Sequence, residues 1–217
     1  MDYTTARSNM VNSQVAPNRI RDTALVAAFR QVPRECYVDP AQAVFAYSDA
    51  PISLDPSGHR LMLSPVQQAW LIEALGVGPG DKVLVVGAGT GYEAALLARM
   101  GVNVHALESN AELLQRGRGL TQDSGVEWRQ GDLEEGWPQS SPFDGILFGA
   151  AATVIPSKLV GQLGSDGRLV AIVGQPGSPV MVAQKVVGVS GSDRPEHLFE
   201  TVAPHLPDLL PGGGFQL

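Results

Sequence analysis

The run Lys82-Val83-Leu84-Val85-Val86-Gly87-Ala88-Gly89-Thr90-Gly91-Tyr92 decides the fold of this chain. Four apolar residues, three of them β-branched, lead into glycines at alternate positions. Glu93-Ala94-Ala95-Leu96-Leu97-Ala98-Arg99 then takes up a helical composition. The pattern predicts strand, tight turn and helix. A turn of this kind, at the carboxyl end of a buried parallel strand, is where open α/β sheets bind ligands, because glycine lets the backbone come close to the guest.

The glycine spacing narrows the ligand. A dinucleotide fingerprint G-x-G-x-x-G needs glycine where Tyr92 stands, whereas Gly87, Gly89 and Gly91 spell G-x-G-x-G. No G-x-x-x-x-G-K-[ST] phosphate loop occurs. A second strand, 102–107, ends in Glu108, twenty-one residues after Gly87 and close to the spacing of a ribose-binding acid. The combination resembles the S-adenosyl-L-methionine-dependent methyltransferases more than the nicotinamide enzymes, which stay open as the alternative.

Outward from this unit, the alternation continues. A helix is expected over 110–120, strands over 126–130 and 143–148, a helix over 156–163, and a fifth strand over 168–173. Two further strand-like runs, 180–189 and 198–203, are joined by a link too short for a crossover helix, so this end of the sheet should be antiparallel. The fold class is therefore α/β, a doubly wound Rossmann-like sheet. Gly212-Gly213-Gly214 suggests a frayed terminus.

Upstream, helices are expected over 5–15 and 23–32, the second with Asp22 as N-cap and Pro33 ending it. Residues 37–64 lose their period, and Pro40, Pro51, Pro56 and Gly58 mark a loop-rich connection that is unusually long unless functional. Ser64-Pro65-Val66-Gln67 then opens a helix to about Leu75, with Ser64 as N-cap, Pro65 at the first helical position and Gln67 completing a capping box. The expected organisation is one structural domain, with residues 1–64 as a helical cap and substrate-side loop and 65–217 as the cofactor-binding core.

Bulk properties bound the function. The 217 residues suit one α/β domain. With 15 Lys and Arg against 22 Asp and Glu, the net charge is −7 and no basic run marks a nucleic-acid or anionic-membrane surface. One cysteine, Cys36, cannot form an intrachain disulfide, and MDYTTARSNM has no apolar signal core, so the expected location is the cytoplasm. No apolar run approaches a membrane span, and no metal-ligand spacing is present.

Dispersed segments carry a closer resemblance. Val32-Pro33-Arg34-Glu35-Cys36-Tyr37-Val38, Ala46-Tyr47-Ser48-Asp49, Pro79-Gly80-Asp81, the glycine turn, Gly131-Asp132, Gly136-Trp137, Phe143-Asp144, Ala150-Ala151-Ala152, Ile155-Pro156 and Gly167-Arg168-Leu169-Val170 together resemble the protein-L-isoaspartate (D-aspartate) O-methyltransferases. The resemblance implies S-adenosyl-L-methionine as cofactor and L-isoaspartyl carboxylates of damaged proteins as acceptors. It further implies that Glu108 holds the ribose, that Asp132 and Leu133 lie at the adenine, and that Ser64 sits beside the methyl-accepting carboxylate. The sequence departs from the family near the substrate. Leu61-Met62 replaces a polar Gln-Thr pair, Thr153 a proline and Leu133 a glycine, while the C-terminal FVPL-like segment is reduced to Val202-Ala203-Pro204-His205-Leu206.

Carboxyl methylation suits the residues present. The donor is already activated, so the protein chiefly positions the acceptor and excludes water. A carboxylate is ionised at neutral pH and needs no general base, and none is evident. Each candidate has a plainer role beside this one: Ser64 as a helix cap, Asp132 as a turn cap, Glu108 as a solvated strand end, His59 as an exposed loop histidine and His105 as a structural one. The tryptophans Trp70, Trp128 and Trp137 suit packing better than ligand stacking. Two functional alternatives remain: a methyltransferase of the same fold acting on another acceptor, and a non-catalytic cofactor-binding homologue.

Overall fold

A computed structural model of the chain describes residues 2–188 and 195–210. Helix α1 (Tyr3–Met10) continues through a π-helical stretch at Val11–Val15, and α2 (Thr23–Gln31) starts at Asp22, whose side chain accepts from Ala24 N and Leu25 N. The connection beyond it is not structureless. A 3-10 stretch at Pro40–Phe45 is followed by a two-stranded hairpin of β1 (Ile52–Ser53) and β2 (Leu61–Met62), paired Ile52 to Met62 and Ser53 to Leu61. Strands of two residues have no readable period, which is why the sequence showed only a loop.

Helix α3 (Pro65–Leu75) begins with the expected capping box: Gln67 N donates to Ser64 Oγ at 3.4 Å and Ser64 N donates to Gln67 Oε1 at 3.1 Å. The core then alternates β3 (Lys82–Val86), α4 (Tyr92–Arg99), β4 (Asn103–Glu108), α5 (Ala111–Leu120), β5 (Glu127–Gln130) and β6 (Phe143–Phe148). Helix α6 (Ser157–Val160) is a single turn, shorter than the expected 156–163, because Leu163 already pairs with Phe143 and opens β7 (Leu163–Val173). Strands β8 (Met181–Val187) and β9 (Glu196–Thr201) complete the sheet.

The sheet order is β5-β4-β3-β6-β7-β8-β9. Pairs from β5 to β7 are parallel, and β7-β8-β9 is antiparallel, as expected from the short link. Residues 189–194 of that link and the glycine run at 212–214 lie outside the described residues. Strand β3 shows why its sequence is apolar from Val83 to Val86. Val83 and Val85 pack on one side with cap residues such as Val11, Leu25 and Phe29, while Leu84 and Val86 pack on the other with Leu107, Leu133 and Phe148. A parallel strand buried on both faces has no polar side to alternate with.

Candidate active site

Chain order in the sheet reverses about β3, so the carboxyl ends of β3, β4 and β6 border one crevice, the expected place for a ligand. Gly87 and Gly89 adopt left-handed backbone angles, φ 67° and φ 58°, that side-chain-bearing residues disfavour. Gly91 caps the start of α4. The turn is tied on both flanks: Ala88 N donates to Leu107 O at 3.0 Å and Gly149 N donates to Val86 O at 2.9 Å.

Glu108 lies at the end of β4 with its carboxylate fully buried. It is not a solvated strand end. Its Oε2 accepts from Gly89 N at 2.6 Å and from Arg60 Nη2 at 2.7 Å. Its Oε1 accepts from Ser109 N at 3.0 Å, Ser109 Oγ at 3.2 Å and Asn110 N at 3.0 Å. The fold thus joins Glu108 directly to the glycine turn.

The other expected residues are placed differently. Asp132 is exposed and accepts from Glu134 N at 2.8 Å, while Leu133 is fully buried in the apolar cluster beneath the turn. Ser64, 6% exposed, caps α3. His59 is exposed and borders an open cleft of about 320 Å³ shared with Asp55, Arg60, Ser109, Asn110 and Asp208. His105 packs edge-on to Trp137 and Phe143, where burial pulls its pKa down, a structural position. Trp128 Nε1 donates to Thr121 Oγ1 at 2.8 Å, and Trp70 packs against Phe199 with the rings tilted by 56°. No cluster of three metal-ligating side chains occurs among the described residues.

Several residues at the site had no signal in the sequence. The hairpin folds over the turn so that Leu54 Cδ1 lies 2.6 Å from where a Cβ on Gly89 would sit. Leu206 stands in the same relation to Gly87, at 2.4 Å. Leu206 is held there because residues after β9 run along the sheet's carboxyl edge, with Leu206 N donating to Ala151 O at 2.8 Å and Ala151 N to Pro204 O at 2.8 Å. Thr153 Oγ1 donates to Leu209 O at 2.9 Å, and Gln67 Nε2 donates to Val202 O at 2.9 Å. Thr153 therefore meets the chain just beyond the altered C-terminal segment, and Gln67 meets the segment itself.

Beneath the hairpin, Arg34 is fully buried. It donates to Ala46 O at 2.7 Å, to Leu63 O at 2.6 Å and to Gln68 Oε1, with its guanidinium 5.0 Å from the Tyr92 ring centroid. Gln68 Nε2 donates in turn to Glu93 Oε1 at 2.6 Å. Burial pushes the Glu93 carboxyl up, against the opposing Gln68 hydrogen bond and the more distant Arg34 and Arg60 charges. Glu93 also lines a small cavity of about 10 Å³ with Arg60, Met62 and Gly87–Thr90.

Comparison with known proteins identifies the family. The family model for Protein-L-isoaspartate(D-aspartate) O-methyltransferase matches residues 5–197. The chain is 45% identical to the protein-L-isoaspartate O-methyltransferase of Methylorubrum extorquens, covering 83% of this chain and 79% of that protein. It is 41% identical to that of Gloeobacter violaceus, covering 76% and 81%. A solved protein-L-isoaspartate O-methyltransferase superposes with a TM-score of 0.76 at 23% identity, over 90% of this chain and 64% of that one. A beta-aspartate methyltransferase from Plasmodium falciparum, solved in complex with S-adenosyl-L-homocysteine, superposes with a TM-score of 0.73 at 18% identity, over 93% and 96%. The chain belongs to the protein-L-isoaspartate (D-aspartate) O-methyltransferase family.

Proposed function

We propose that the protein binds S-adenosyl-L-methionine at the glycine turn and methylates L-isoaspartyl carboxylates in damaged proteins. The observation that carries this reading is the buried Glu108 carboxylate joined to Gly89 N at the mouth of a G-x-G-x-G turn, in a chain of this family. The residues fit such a cofactor: Glu108 offers acceptors for ribose hydroxyls, Gly87 and Gly89 line the cradle without side chains, and Gly91 leaves room for Trp128 behind the turn. Asp132 and the backbone of Leu133 border the adenine end. When bound, the cofactor supplies a methyl group already activated on a sulfonium.

The chain's own residues then have to seat the acceptor and keep water out. Leu54, Leu61 and Met62 supply the apolar cover. Ser64, at the junction of hairpin and α3, takes the acceptor side, as the family resemblance implies. The acceptor oxygen forms its bond to the methyl carbon as the carbon–sulfur bond breaks, and no proton need be taken up by the protein. Residues 1–64 act as the cap and substrate-side loop, and 65–217 as the core. No helix among the described residues is long and apolar enough to cross a membrane.

Incubation with labelled cofactor and an isoaspartyl peptide, beside its normal aspartyl twin, tests the reading. Label should enter the isoaspartyl peptide alone. The apolar Leu61-Met62 pair favours a second reading, a different acceptor on the same fold; cofactor binding with neither peptide labelled would select it.

Ser64 separates capping from catalysis. Ser64→Ala should lower stability by about 0.5–2 kcal/mol. Ser64→Asp, also a good cap, should restore the unfolding midpoint yet lower kcat/KM on the isoaspartyl peptide at least ~tenfold, because a like charge then meets the acceptor. Full activity in Ser64→Asp would confine Ser64 to the helix.

A further inference from the structure

Arg60 is 6% exposed and sits where β2 begins, directly over the turn. Its Nη2 serves two acceptors at once, Glu108 Oε2 at 2.7 Å and Gly87 O at 3.2 Å. Its Nε is buried with no hydrogen-bond partner among the described residues. A guanidinium is a planar fork of five donors, best used two at a time against one carboxylate. Here the fork is used through one nitrogen.

The partner is not equally dependent. Without Arg60, Glu108 still accepts from Gly89 N, Ser109 N, Ser109 Oγ and Asn110 N. The carboxylate can release Arg60 and stay satisfied, whereas the buried guanidinium needs a new anion. The hairpin carrying it is suited to move. It holds two paired residues per strand, closed by Leu54 N donating to Arg60 O at 2.9 Å, and residues 56–59 are exposed. So short a hairpin has little stability of its own.

Contact with Glu108 requires the movement. The cavity enclosed by Arg60, Leu54, Met62, Glu93 and the turn is about 10 Å³, room for roughly one water. An S-adenosyl ligand can enter the adjoining open cleft of about 320 Å³ lined by Arg60, Ser109 and Asn110, but it reaches the buried Glu108 and the turn only if Arg60 and Leu54 give way. Such a ligand carries both things the exchange requires: two ribose hydroxyls to replace Arg60 on Glu108, and an amino-acid carboxylate to receive the displaced fork. Glu93 is the weaker destination, since its oxygen already accepts from Gln68 and burial disfavours its charged form.

We propose that Arg60 is a cofactor-selecting residue, holding Glu108 in the ligand-free protein and transferring to the amino-acid carboxylate of the cofactor when the ribose takes its place. The proposal rests on the reading of the turn as an S-adenosyl-L-methionine site and deepens it. Its consequence is that the protein discriminates against adenosine ligands lacking that carboxylate, which displace Arg60 without accommodating it.

Calorimetric titration of wild type, Arg60→Gln and Arg60→Lys with S-adenosyl-L-homocysteine and with its decarboxylated analogue tests this without turnover. Wild type should prefer the carboxylate-bearing ligand by roughly tenfold to a hundredfold, the range of a charge-assisted hydrogen bond. Arg60→Gln should bind the decarboxylated analogue more tightly than wild type, and its preference should fall to under about threefold. Arg60→Lys, a cation without the fork, should fall between, and it carries the test if Arg60→Gln fails to fold. An unchanged preference in Arg60→Gln overturns the carboxylate contact, and a parallel weakening of both ligands overturns it in favour of a purely structural role. Absence of S-adenosyl-L-homocysteine binding in wild type is a separate result, which removes the cofactor reading itself.

Discussion

Replacing Glu108 with alanine is expected to lower the stability of the ligand-free protein by roughly 3–5 kcal/mol, besides abolishing cofactor binding. The carboxylate is fully buried and is the acceptor for Gly89 N, Ser109 N and Asn110 N as well as the counter-charge of Arg60. Alanine leaves a buried cation unpaired and three backbone donors without their acceptor, and each such group carries its own desolvation penalty. Urea unfolding checks this as a shift in midpoint at constant m. The double variant Arg60→Gln/Glu108→Ala should recover part of the loss, because the unpaired charge is gone. A loss below about 1 kcal/mol would mean that water reaches the site freely and that the pair is worth no more than a surface salt bridge.

Arg34→Met should cost a similar amount, roughly 3–5 kcal/mol, but through unsatisfied acceptors in the cap rather than an unpaired charge at the turn. Methionine keeps much of the volume and none of the donors, so Ala46 O, Leu63 O and Gln68 Oε1 lose their partner in a place closed to water. These three acceptors belong to three separate segments: the 3-10 region after α2, the end of the hairpin and α3. Arg34 is their shared tie. Hydrogen exchange across 46–63 should accelerate more than exchange in β3 or β4, since local opening follows the weakest set of contacts. Uniform acceleration over the whole chain would show that the cap and the sheet unfold as one unit.

The two substitutions act on charges that the linear sequence displays as ordinary loop residues. Arg34 stands in a run that resembles a family pattern, and Arg60 stands just ahead of the point where the sequence departs from that family. Neither position has a period, a cap signature or a metal-like spacing. What gives them weight is burial against partners 12 to 48 residues away. The same holds for Leu206, which reaches Gly87 only because the strand after the 189–194 link returns antiparallel along β8 and delivers residues 202–206 to the carboxyl edge of the sheet.

By itself the sequence determined what depends on near neighbours. The strand-turn-helix at 82–99, the caps at Asp22 and Ser64, the capping box with Gln67, and the antiparallel end of the sheet all follow from dihedral preferences, short hydrogen bonds or loop lengths within a few residues. Glu108 was reachable too, since one crossover sets its distance from the glycines. Tertiary structure alone decided the rest. It shortened α6 because β7 paired early with β6, and it buried Leu133 beneath the turn. It turned Glu108 from a strand end into one half of a buried ion pair with Arg60. A buried charge gains its energy from whichever opposite charge the fold brings within hydrogen-bond distance, and that partner is set by the path of the whole chain rather than by any local pattern.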